Sequence, residues 1–506
     1  MNSLSFIGLE LAVGLTALAL LLIDLWTLAE RKKYLGYAAA LALGIILALS
    51  FAIDASAPQT AFNSSYMRDS LAMFFKRFFI VTAIIVLIMS VEFAERIRTG
   101  VTEFYAITLF ALCGMMFAAS ANDLVMLFVS LELITVSFYV LTSFQRARVR
   151  SLESGVKYLI MGAVSSAFMV YGIALIFGLA GTTNFDGLAA LAHSEEHKAV
   201  LAQPLFLAGV LLLFVGLCFK MAAFPVQIWT PDVYQGAPAP ATAFLAVGSK
   251  AAGFVLLLRV LFSAIPEVAA HWGTFLAVIA AITILYGNLC ALPQRNLKRL
   301  LGYSSIGNAG YLLLGAVASN KSGSSAILYY LAGYLFTVLA AFTVLSIITR
   351  EAEDEDITIL AGLNQRSPLL AASLALSMIS LAGIPPLAGF FGKFLLLKSV
   401  VERGATQPLF LVLIGLTIVG IVISFYYYLG VVRAIYWSRV VPDYSEIRVS
   451  MPARVALYVC IAGMLILGLF PGAMVNTAET ASMALKFSPQ TAPDVRHTAS
   501  LHSPQQ

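Results

Sequence analysis

The sequence predicts an all-α polytopic membrane protein with about fourteen transmembrane helices. Of the 506 residues, 60% are hydrophobic and only 11% are charged, and the mean hydropathy is +0.91. A soluble globular domain carries about a quarter charged residues, so that class is excluded. Uninterrupted apolar runs of about 20 residues recur along the chain, which is the length that a helix needs to cross a bilayer core. The alternating segments of roughly ten residues that make barrel strands do not occur in the sequence.

The first apolar segment, residues 4–26, is predicted to be a span rather than a signal peptide. It is longer than the apolar region of a signal peptide, about 7–15 residues, and it leads directly into "ERKK". Thirteen similar segments follow at residues 34–54, 72–94, 104–121, 123–144, 154–179, 204–225, 239–263, 272–292, 301–318, 324–349, 367–400, 408–437 and 453–475.

The basic residues indicate which side of the membrane each loop faces. With the N-terminus outside, the inside loops hold seventeen lysines and arginines and the outside regions hold nine. Cytoplasmic loops carry the excess of basic residues, so both termini are predicted to lie outside. Residues 477–506 are polar and predict a loose outside tail. The acidic loop 350–366 is expected to lie against the protein surface or a partner.

The positions of cysteine and histidine argue against a redox centre in this chain. The four cysteines fall in four different apolar segments without CxxC spacing, so neither an iron–sulfur cluster nor a structural zinc is expected. Haem ligation inside the membrane is not expected either, because the histidines lie in loops or the tail. They are His193, His197, His271, His497 and His502. The sequence contains neither a GxGxxG fingerprint after a strand nor a Walker A motif.

Two predicted spans combine helix breakers with a lysine. The seventh contains "FKMAAFPVQIW", with Lys220 and Pro225, and the twelfth contains "LAGIPPLAGFFGKF", with Pro385, Pro386 and Lys393. The two spans are five apart in order, and an odd offset gives the two units opposite orientations in the membrane. Interrupted helices at corresponding places in inverted halves are a sequence signal of a transporter's ion pathway. The alternative is that each break is a packing kink unrelated to transport.

Four ionisable residues lie deep inside predicted spans: Glu132, Lys220, Lys250 and Lys393. A charge at the centre of a membrane helix costs about 2.5–3.5 kcal/mol on insertion scales, so function is the default explanation. Desolvation favours the neutral form of a lysine and a nearby carboxylate favours its charged form. A lysine under both influences can exchange protons near neutral pH. We therefore expect a proton relay in which Glu132 and Lys220 form a pair and the other two lysines are further stations.

The remaining polar positions admit simpler roles. Two stripes of hydroxyl and amide groups can either extend a relay or hold helices together; they are Ser304–Asn308–Tyr311 and Tyr330–Tyr334–Thr337. Glu153 and Lys157 are spaced for an i, i+4 salt bridge at the start of the sixth span. Asp24 and Arg259 lie near span ends, from which they can snorkel to the surface. Asp232 is expected in a loop, where it would cap the eighth span.

Three long motifs carry a family resemblance. They are "FKMAAFPVQIWTPDVYQGAPAPATAFLAVGSKAAGF" (219–254), "GNLCALPQRNLKRLLGYSSIGNAGYLLLG" (287–315) and "LAGIPPLAGFFGKF" (381–394). Together they resemble the proton-antiporter-like membrane subunits of respiratory complex I, NADH:quinone oxidoreductase, over about residues 70–440. The "PDVYQGAPAP" loop and a lysine rather than a glutamate at position 393 are similar to the N type of this family. The end of the sequence at residue 506, without a long lateral helix, also differs from the L type.

The resemblance implies a 14-helix fold in which helices 4–8 and 9–13 form two inverted five-helix repeats, each with a discontinuous helix. The implied units are 1–100 for helices 1–3, 101–265 for the first repeat, 266–440 for the second, 441–476 for helix 14 and 477–506 for the tail. The implied proton-relay positions are Glu132, Lys220, Lys250 and Lys393. The resemblance implies no cofactor or metal in this chain.

The family also implies partners and a location. NADH, FMN, iron–sulfur clusters and quinone are expected in partner subunits, which are the other membrane and peripheral subunits of complex I. The expected surroundings are the lipid bilayer of a bacterial inner membrane, and no nucleic acid is expected as a partner.

The two halves of the sequence can be aligned by adding to each residue number the offset between Lys220 and Lys393. We call this offset the lysine shift. Under the lysine shift, Glu132 maps to Ser305 and Lys250 maps to Ile423. Neither Ser305 nor Ile423 can carry a charge. The second half is therefore expected to lack its own mid-helix carboxylate.

Two positions depart from the family pattern. Many relatives have histidine where this chain has Gln227 and Asn308, and neither side chain can be protonated, so a relay through histidine is not expected there. Three functions remain open. The chain is a proton-translocating subunit of a bacterial complex I, a Mrp-type cation/proton antiporter without electron transfer, or a membrane scaffold of the same complex with inert charges.

Overall fold

The structure, a computed structural model, describes residues 3–55, 57–97, 100–192, 198–350, 355–404, 407–438 and 445–487. Within these ranges, thirteen helices are long and apolar enough to cross a membrane. A further crossing is made by two shorter helices in sequence, Pro368–Ala382 and Ala388–Gly404. The predicted all-α polytopic fold with about fourteen spans is therefore confirmed.

The helices follow the predicted apolar segments closely. The first twelve are α1 (Gly8–Asp24), α2 (Leu35–Ser50), α3 (Ser70–Phe93), α4 (Val101–Ala119), α5 (Leu124–Thr142), α6 (Val149–Ala180), α7 (Phe185–Leu191), α8 (Lys198–Leu201), α9 (Pro204–Met221), α10 (Trp229–Gly236), α11 (Ala239–Phe244) and α12 (Lys250–Arg259). The others are α13 (Pro266–His271), α14 (Gly273–Ala291), α15 (Leu297–Ala318), α16 (Lys321–Ile348), α17 (Leu363–Arg366), α18 (Pro368–Ala382), α19 (Ala388–Gly404), α20 (Pro408–Trp437), α21 (Met451–Leu469) and α22 (Gly472–Ser482). A π-helical turn, Leu245–Ser249, joins α11 to α12 within one span.

Both ends of the described chain lie on the same face of the bundle, which we call the N-terminal face. The hydroxyl of Tyr66 donates to the carbonyl of Phe6 at 3.0 Å, and the hydroxyl of Ser70 donates to the carbonyl of Thr480 at 3.2 Å. A short antiparallel hairpin, β1 (Gln59–Ala61) with β2 (Tyr66–Arg68), also lies on this face. The compartment that this face meets stays a prediction.

A buried ion pair joins three helices near the N-terminal face. Arg259 on α12 is fully buried, and its guanidinium donates to both carboxylate oxygens of Asp69, at 2.9 and 3.1 Å, and to the carbonyl of Ala119 at 2.8 Å. Asp69 also caps α3 by accepting from the amide of Ala72. The prediction that Arg259 snorkels to the surface is wrong, because a bidentate carboxylate partner lies inside the bundle. Asp24 does lie at a span end, where Lys32 binds it at 2.6 Å.

The start of the tail is ordered by packing. Helix α22 lies against α3 and α16 through Ala478 and Ala481, and Leu485 continues the same buried face, so residues up to 487 are not a loose tail. This i, i+3, i+7 spacing is an amphipathic signal that the polar composition of the segment concealed. Beyond α22, Lys486 binds Asp186 at 2.8 Å. The remainder of the predicted tail, residues 488–506, lies outside the described residues.

Asp186 is held charged at the N-terminal face. Burial raises the pKa of Asp186, but hydrogen bonds from Lys486 and Asn122 outweigh that effect and hold the pKa below its usual value. On the opposite face, the described part of the acidic loop lies against the protein's own surface. Its Glu355 binds Lys298 at 2.9 Å, and residues 351–354 lie outside the described ranges.

Candidate functional site

The first interrupted helix stops at a Schellman motif. The amide of Ala223 donates to the carbonyl of Cys218 at 2.9 Å, and that of Ala222 donates to Phe219 at 3.3 Å, while Ala222 has a φ of 60°. The Phe224–Pro225 bond is cis, and the chain becomes helical again at α10.

The second interruption repeats this geometry. Ile384 donates to Ile379 at 3.2 Å, Gly383 donates to Ser380 at 2.9 Å with a φ of 87°, and the Pro385–Pro386 bond is cis. Discontinuous helices at the seventh and twelfth spans are therefore confirmed.

The two lysines do not occupy corresponding places in the two breaks. Lys220 lies in the last turn before its break, and Lys393 lies in the helix after its break. The left-handed residues that mark the breaks, Ala222 and Gly383, are accordingly closer together in the sequence than the two lysines are. The lysine shift is therefore wrong at the breaks, because Lys220 precedes its break and Lys393 follows its break. It does relate the starts of α5 and α15.

Gly389 permits the two halves of the twelfth span to meet. A Cβ at this position would stand 1.8 Å from the carbonyl oxygen of Ser380, whereas a Cβ at Gly415 in α20 meets nothing within 4 Å. Gly389→Ala is expected to lower the free energy of unfolding by about 3 kcal/mol, the upper end for overpacking. Gly415→Ala should be neutral or stabilising by up to ~1 kcal/mol. Equilibrium unfolding of both variants in mild detergent would measure this, and equal stabilities would contradict the prediction.

Lys393 lies on the helix after the second break and bonds to the end of the helix before it. Its buried ammonium donates to the carbonyls of Leu381 at 2.7 Å and Ala382 at 3.1 Å, and it lies 4.9 Å from the ring centroid of Tyr311. These carbonyls are at the C-terminal end of α18, where the helix dipole favours a cation. Lys393 therefore has polar partners without a carboxylate.

Lys220 packs against aromatic side chains. Its ammonium contacts the hydroxyl of Tyr158 at 3.4 Å and lies 5.4 Å from the ring of Phe219, while Trp229 packs edge-on against Tyr158. Although both side chains are described, Lys220 and Glu132 form no direct ion pair. Glu132 is within electrostatic range of Lys220.

The Glu132 side chain on α5 contacts α6. Glu132 accepts from the hydroxyl of Ser166 at 2.5 Å. The ring of Tyr139 lies 5.6 Å from that of Tyr158, the residue that Lys220 contacts. The contact between Tyr139 and Tyr158, rather than a salt bridge, therefore connects the surroundings of Glu132 with those of Lys220.

Lys250 is buried beside the π-helical turn and binds α15. Its ammonium donates to both the carbonyl and the hydroxyl of Ser305, and it lies 5.6 Å from the ring of Tyr334. Ser305 is the residue to which the lysine shift maps Glu132. Its hydroxyl also contacts the hydroxyl of Tyr234 at 3.1 Å and accepts from Tyr334 at 3.2 Å. Ser305 is therefore the junction between α10, α12, α15 and α16.

Polar side chains continue from this junction into the second half of the chain. The ring of Tyr334 stacks on Tyr330 at 6.2 Å, and the Tyr330 hydroxyl donates to the Asn308 side-chain oxygen at 2.5 Å. The Asn308 amide donates to the carbonyl of Ser304 at 2.9 Å and contacts the hydroxyl of Tyr428 at 3.4 Å. Asn308 thus occupies the position of the family histidine as a hydrogen-bonding link.

The last part of this connection reaches Lys393. The rings of Tyr427 and Tyr428 lie 4.4 Å apart, and the Tyr427 hydroxyl donates to Asn288 at 2.9 Å. Asn288 donates to the hydroxyl of Tyr311 at 3.0 Å, and Lys393 lies over the ring of Tyr311. Asn288 and the tyrosine pair were not among the residues predicted from the sequence. The signals were a carboxamide within the ninth span and the run "YYY" within the thirteenth.

A charged cluster lies on the face opposite the N-terminal face. Asp232 binds Lys157 at 2.7 Å and also binds Arg299, and Lys157 binds Glu153 at 2.7 Å. The i, i+4 pair of α6 is confirmed. The prediction that Asp232 is a loop residue that caps the eighth span is wrong, because it lies on α10 and its carboxylate binds two side-chain cations. A cavity of about 210 Å³ opens beside this cluster, next to Gln235.

A second buried ion pair was also missed. Lys76 on α3 binds Glu10 on α1 at 2.7 Å, and the hydroxyl of Tyr66 contacts both. Both charged side chains are almost fully buried, although Lys76 is one of the nine basic residues that the orientation prediction placed in the outside regions. The signal was the position of each residue several places inside an apolar segment.

Several polar atoms at the first break lack protein partners. In the described part of the chain, the side-chain oxygen of buried Gln227, the indole nitrogen of Trp229 and the hydroxyl of Thr230 form no hydrogen bond. Buried polar atoms are normally satisfied by protein or by ordered water. The same described part contains no group of three or more His, Cys, Asp or Glu residues that could hold a metal. Four histidines lie outside it: His193, His197, His497 and His502.

Two interrupted helices with buried lysines in a polytopic bundle define the class of antiporter-like membrane proteins. Residues 121–422 match the family described as NADH:quinone oxidoreductase/Mrp antiporter, TM. NADH-quinone oxidoreductase subunit N of Heliobacterium modesticaldum is 39% identical, over 94% of this chain and 97% of the relative. The chain therefore belongs to the NADH:quinone oxidoreductase/Mrp antiporter membrane family, among its subunit N proteins.

Solved structures agree with this assignment. A chain of respiratory complex I from Thermus thermophilus with bound aureothin is 33% identical, with a TM-score of 0.76, over 92% of this chain and 98% of that one. A chain of the Mrp complex from Dietzia sp. DQ12-45-1b has a TM-score of 0.78 at 20% identity, over 96% and 98% of the two chains. At that identity the likeness concerns the fold alone.

Proposed function

We propose that this chain is a proton-translocating membrane subunit of a respiratory NADH:quinone oxidoreductase in a bacterial inner membrane. The names of its relatives support this proposal. In the proposal, other membrane and peripheral subunits of the complex carry NADH, FMN, iron–sulfur clusters and quinone. Redox energy released there reaches this chain as a change of charge next to it, and both termini face the outside.

The observation that carries the proposal is the series of hydrogen bonds and ring contacts from Lys250 to Lys393. Each ammonium is buried and rests on hydroxyl or carbonyl groups. Without a carboxylate partner, a buried lysine is not locked in its charged form. It can therefore give a proton to a neighbouring water or hydroxyl and take one back.

In the proposed relay, a change in the field of Glu132 loads or unloads Lys220. The unpartnered polar atoms at the first break provide sites for water between Lys220 and Tyr234. From Tyr234, the hydroxyl of Ser305 leads to Lys250. The tyrosine and asparagine contacts then lead towards Lys393. Each lysine returns to its starting state when the next proton arrives.

In the proposal, each repeat contains one of the two breaks. We infer that residues 101–265 and 266–440 are inverted units around the seventh and twelfth spans. Residues 1–100, 441–476 and 477–506 then flank them. The matching Schellman motifs support this division, since both halves end a helix in the same way at membrane depth.

Replacing the two break lysines tests the proposal. Complexes with Lys220→Ala or Lys393→Ala are expected to assemble and to show a proton-to-electron ratio lowered at least severalfold in vesicles, because each substitution removes a protonatable station. Lys398→Ala is the matched control, since Lys398 lies on the same helix as Lys393 but is half exposed and binds Glu402. A wild-type ratio in both test variants would overturn the proposal and favour a scaffold with inert charges.

The family description also names Mrp antiporters, which supports a second candidate, cation/proton antiport without electron transfer. The two candidates differ in what the chain does alone. A sodium gradient across vesicles that contain only this chain should produce no pH change if the complex I proposal is correct. A sodium-driven pH change would favour antiport.

A further inference from the structure

A large groove opens on the side of the bundle away from the lysine pathway. It has a volume of about 650 Å³ and lies between α2, α3, α16 and α22. Its walls are mainly apolar, with Phe74, Phe78, Leu335 and Phe336 among them. In water such a surface would mark a binding site of ordinary ligand size, and here it lies among membrane-spanning helices.

The groove has the length of one bilayer leaflet. Along α3 its lining runs from Ser70, at the N-terminal face, to Val81. Eleven residues of α-helix rise about 16 Å, and half of a hydrocarbon core is about 15 Å. A single acyl chain in the leaflet on the N-terminal face therefore matches this depth.

Arg77, two turns inward from Ser70 on α3, gives the groove a positive charge. Arg77 donates to the carbonyl and the hydroxyl of Ser50 at 2.9 and 3.3 Å, and its guanidinium lies 4.3 Å from the ring centroid of Phe51. Among the described residues, no carboxylate forms an ion pair with Arg77. A guanidinium has five donors, so donors remain for a phosphate, which is a preferred arginine partner. Asn476 and Thr480 of α22 also line the groove.

We propose that this groove binds one anionic phospholipid from the leaflet on the N-terminal face. Its phosphate contacts Arg77 and an acyl chain lies between α3 and α16. Charge complementarity selects this occupant, since an uncharged apolar helix from a partner subunit would leave Arg77 without an anion. The site also has a link to the pathway: Leu335 and Phe336 line the groove on α16, the helix that carries Tyr330 and Tyr334.

Lipid titration of the full chain tests the site. Native mass spectrometry in detergent would compare phosphatidylglycerol with phosphatidylcholine. Arg77→Gln is expected to weaken the tightest phosphatidylglycerol binding about fivefold, the effect of one basic residue near an anionic headgroup, and to change phosphatidylcholine little. Val81→Trp, which fills the inner end of the groove, should weaken both lipids.

Matched controls separate the groove from general lipid adhesion. Arg68→Gln removes a basic residue from the same face outside the groove, and Val422→Trp enlarges a side chain that is 59% exposed on α20. Both controls should bind lipid as the unchanged chain does. Equal phosphatidylglycerol binding by all four variants would overturn the proposal, as would a structure of the complex with a partner helix in the groove. The readout is lipid binding and is independent of proton translocation.

Discussion

Replacing Arg259 by leucine is expected to lower the free energy of unfolding by about 3–5 kcal/mol, because the substitution leaves the carboxylate of Asp69 buried and unpaired. The guanidinium supplies three hydrogen bonds that join α12, α3 and α4 in the interior. Unfolding of the purified chain by a denaturing detergent, followed by circular dichroism, would measure the loss.

Two further variants identify the cause of this loss. Asp69→Asn combined with Arg259→Leu should recover part of the stability, since asparagine still caps α3 and no charge stays buried. Arg299→Leu is the partly exposed counterpart and should cost at most about 1 kcal/mol, because Lys157 still binds Asp232. Equal losses in Arg259→Leu and Arg299→Leu would show that burial of the pair is not responsible.

Replacing Lys250 by methionine is expected to reduce proton translocation by the assembled complex at least tenfold. Methionine is similar in length but cannot hold a proton. The serine and tyrosines around Lys250 do not release protons near neutral pH. The measurement is the proton-to-electron ratio in vesicles, with NADH oxidation followed in the same sample.

The arginine variant separates titration from the mere presence of charge. Lys250→Arg keeps a cation at this position, but a guanidinium is not deprotonated in proteins. Translocation should therefore fail in Lys250→Arg as well. Lys398→Met is the control for loss of a lysine elsewhere, and it should leave the ratio unchanged. Normal translocation by Lys250→Arg would mean that this position supplies charge and not a proton.

The spans, the helix breaks and the burial of three lysines were predictable from sequence because each is a local property. An apolar run long enough to cross the bilayer forms a helix in lipid. A proline within such a run interrupts the backbone hydrogen bonds of that helix. The paired helix starts of α5 and α15 also followed the lysine shift. The lysine shift failed at the breaks because the two lysines lie on opposite sides of their breaks.

The partners of the buried charges were not predictable in the same way. Arg259 looked like a residue at a span end, and only the packing of α12 against α3 brings it to Asp69, which is far away in the sequence. Lys76 lies inside an apolar segment, and only the tertiary structure places Glu10 beside it. The expected Glu132–Lys220 pair has no direct bond, and the two side chains bind different partners, Ser166 and Tyr158.

The sequence by itself determined the class of protein, the number of crossings and the lysines that lie at membrane depth, since hydropathy and helix breakers act along the chain. Only the tertiary structure decided what each ammonium touches: Tyr158 for Lys220, Ser305 for Lys250, and the end of α18 for Lys393. The physical reason is that removing a charge from water costs free energy at every buried site, whatever its neighbours. The groups that offset that cost come from other helices, and their positions depend on how the bundle packs.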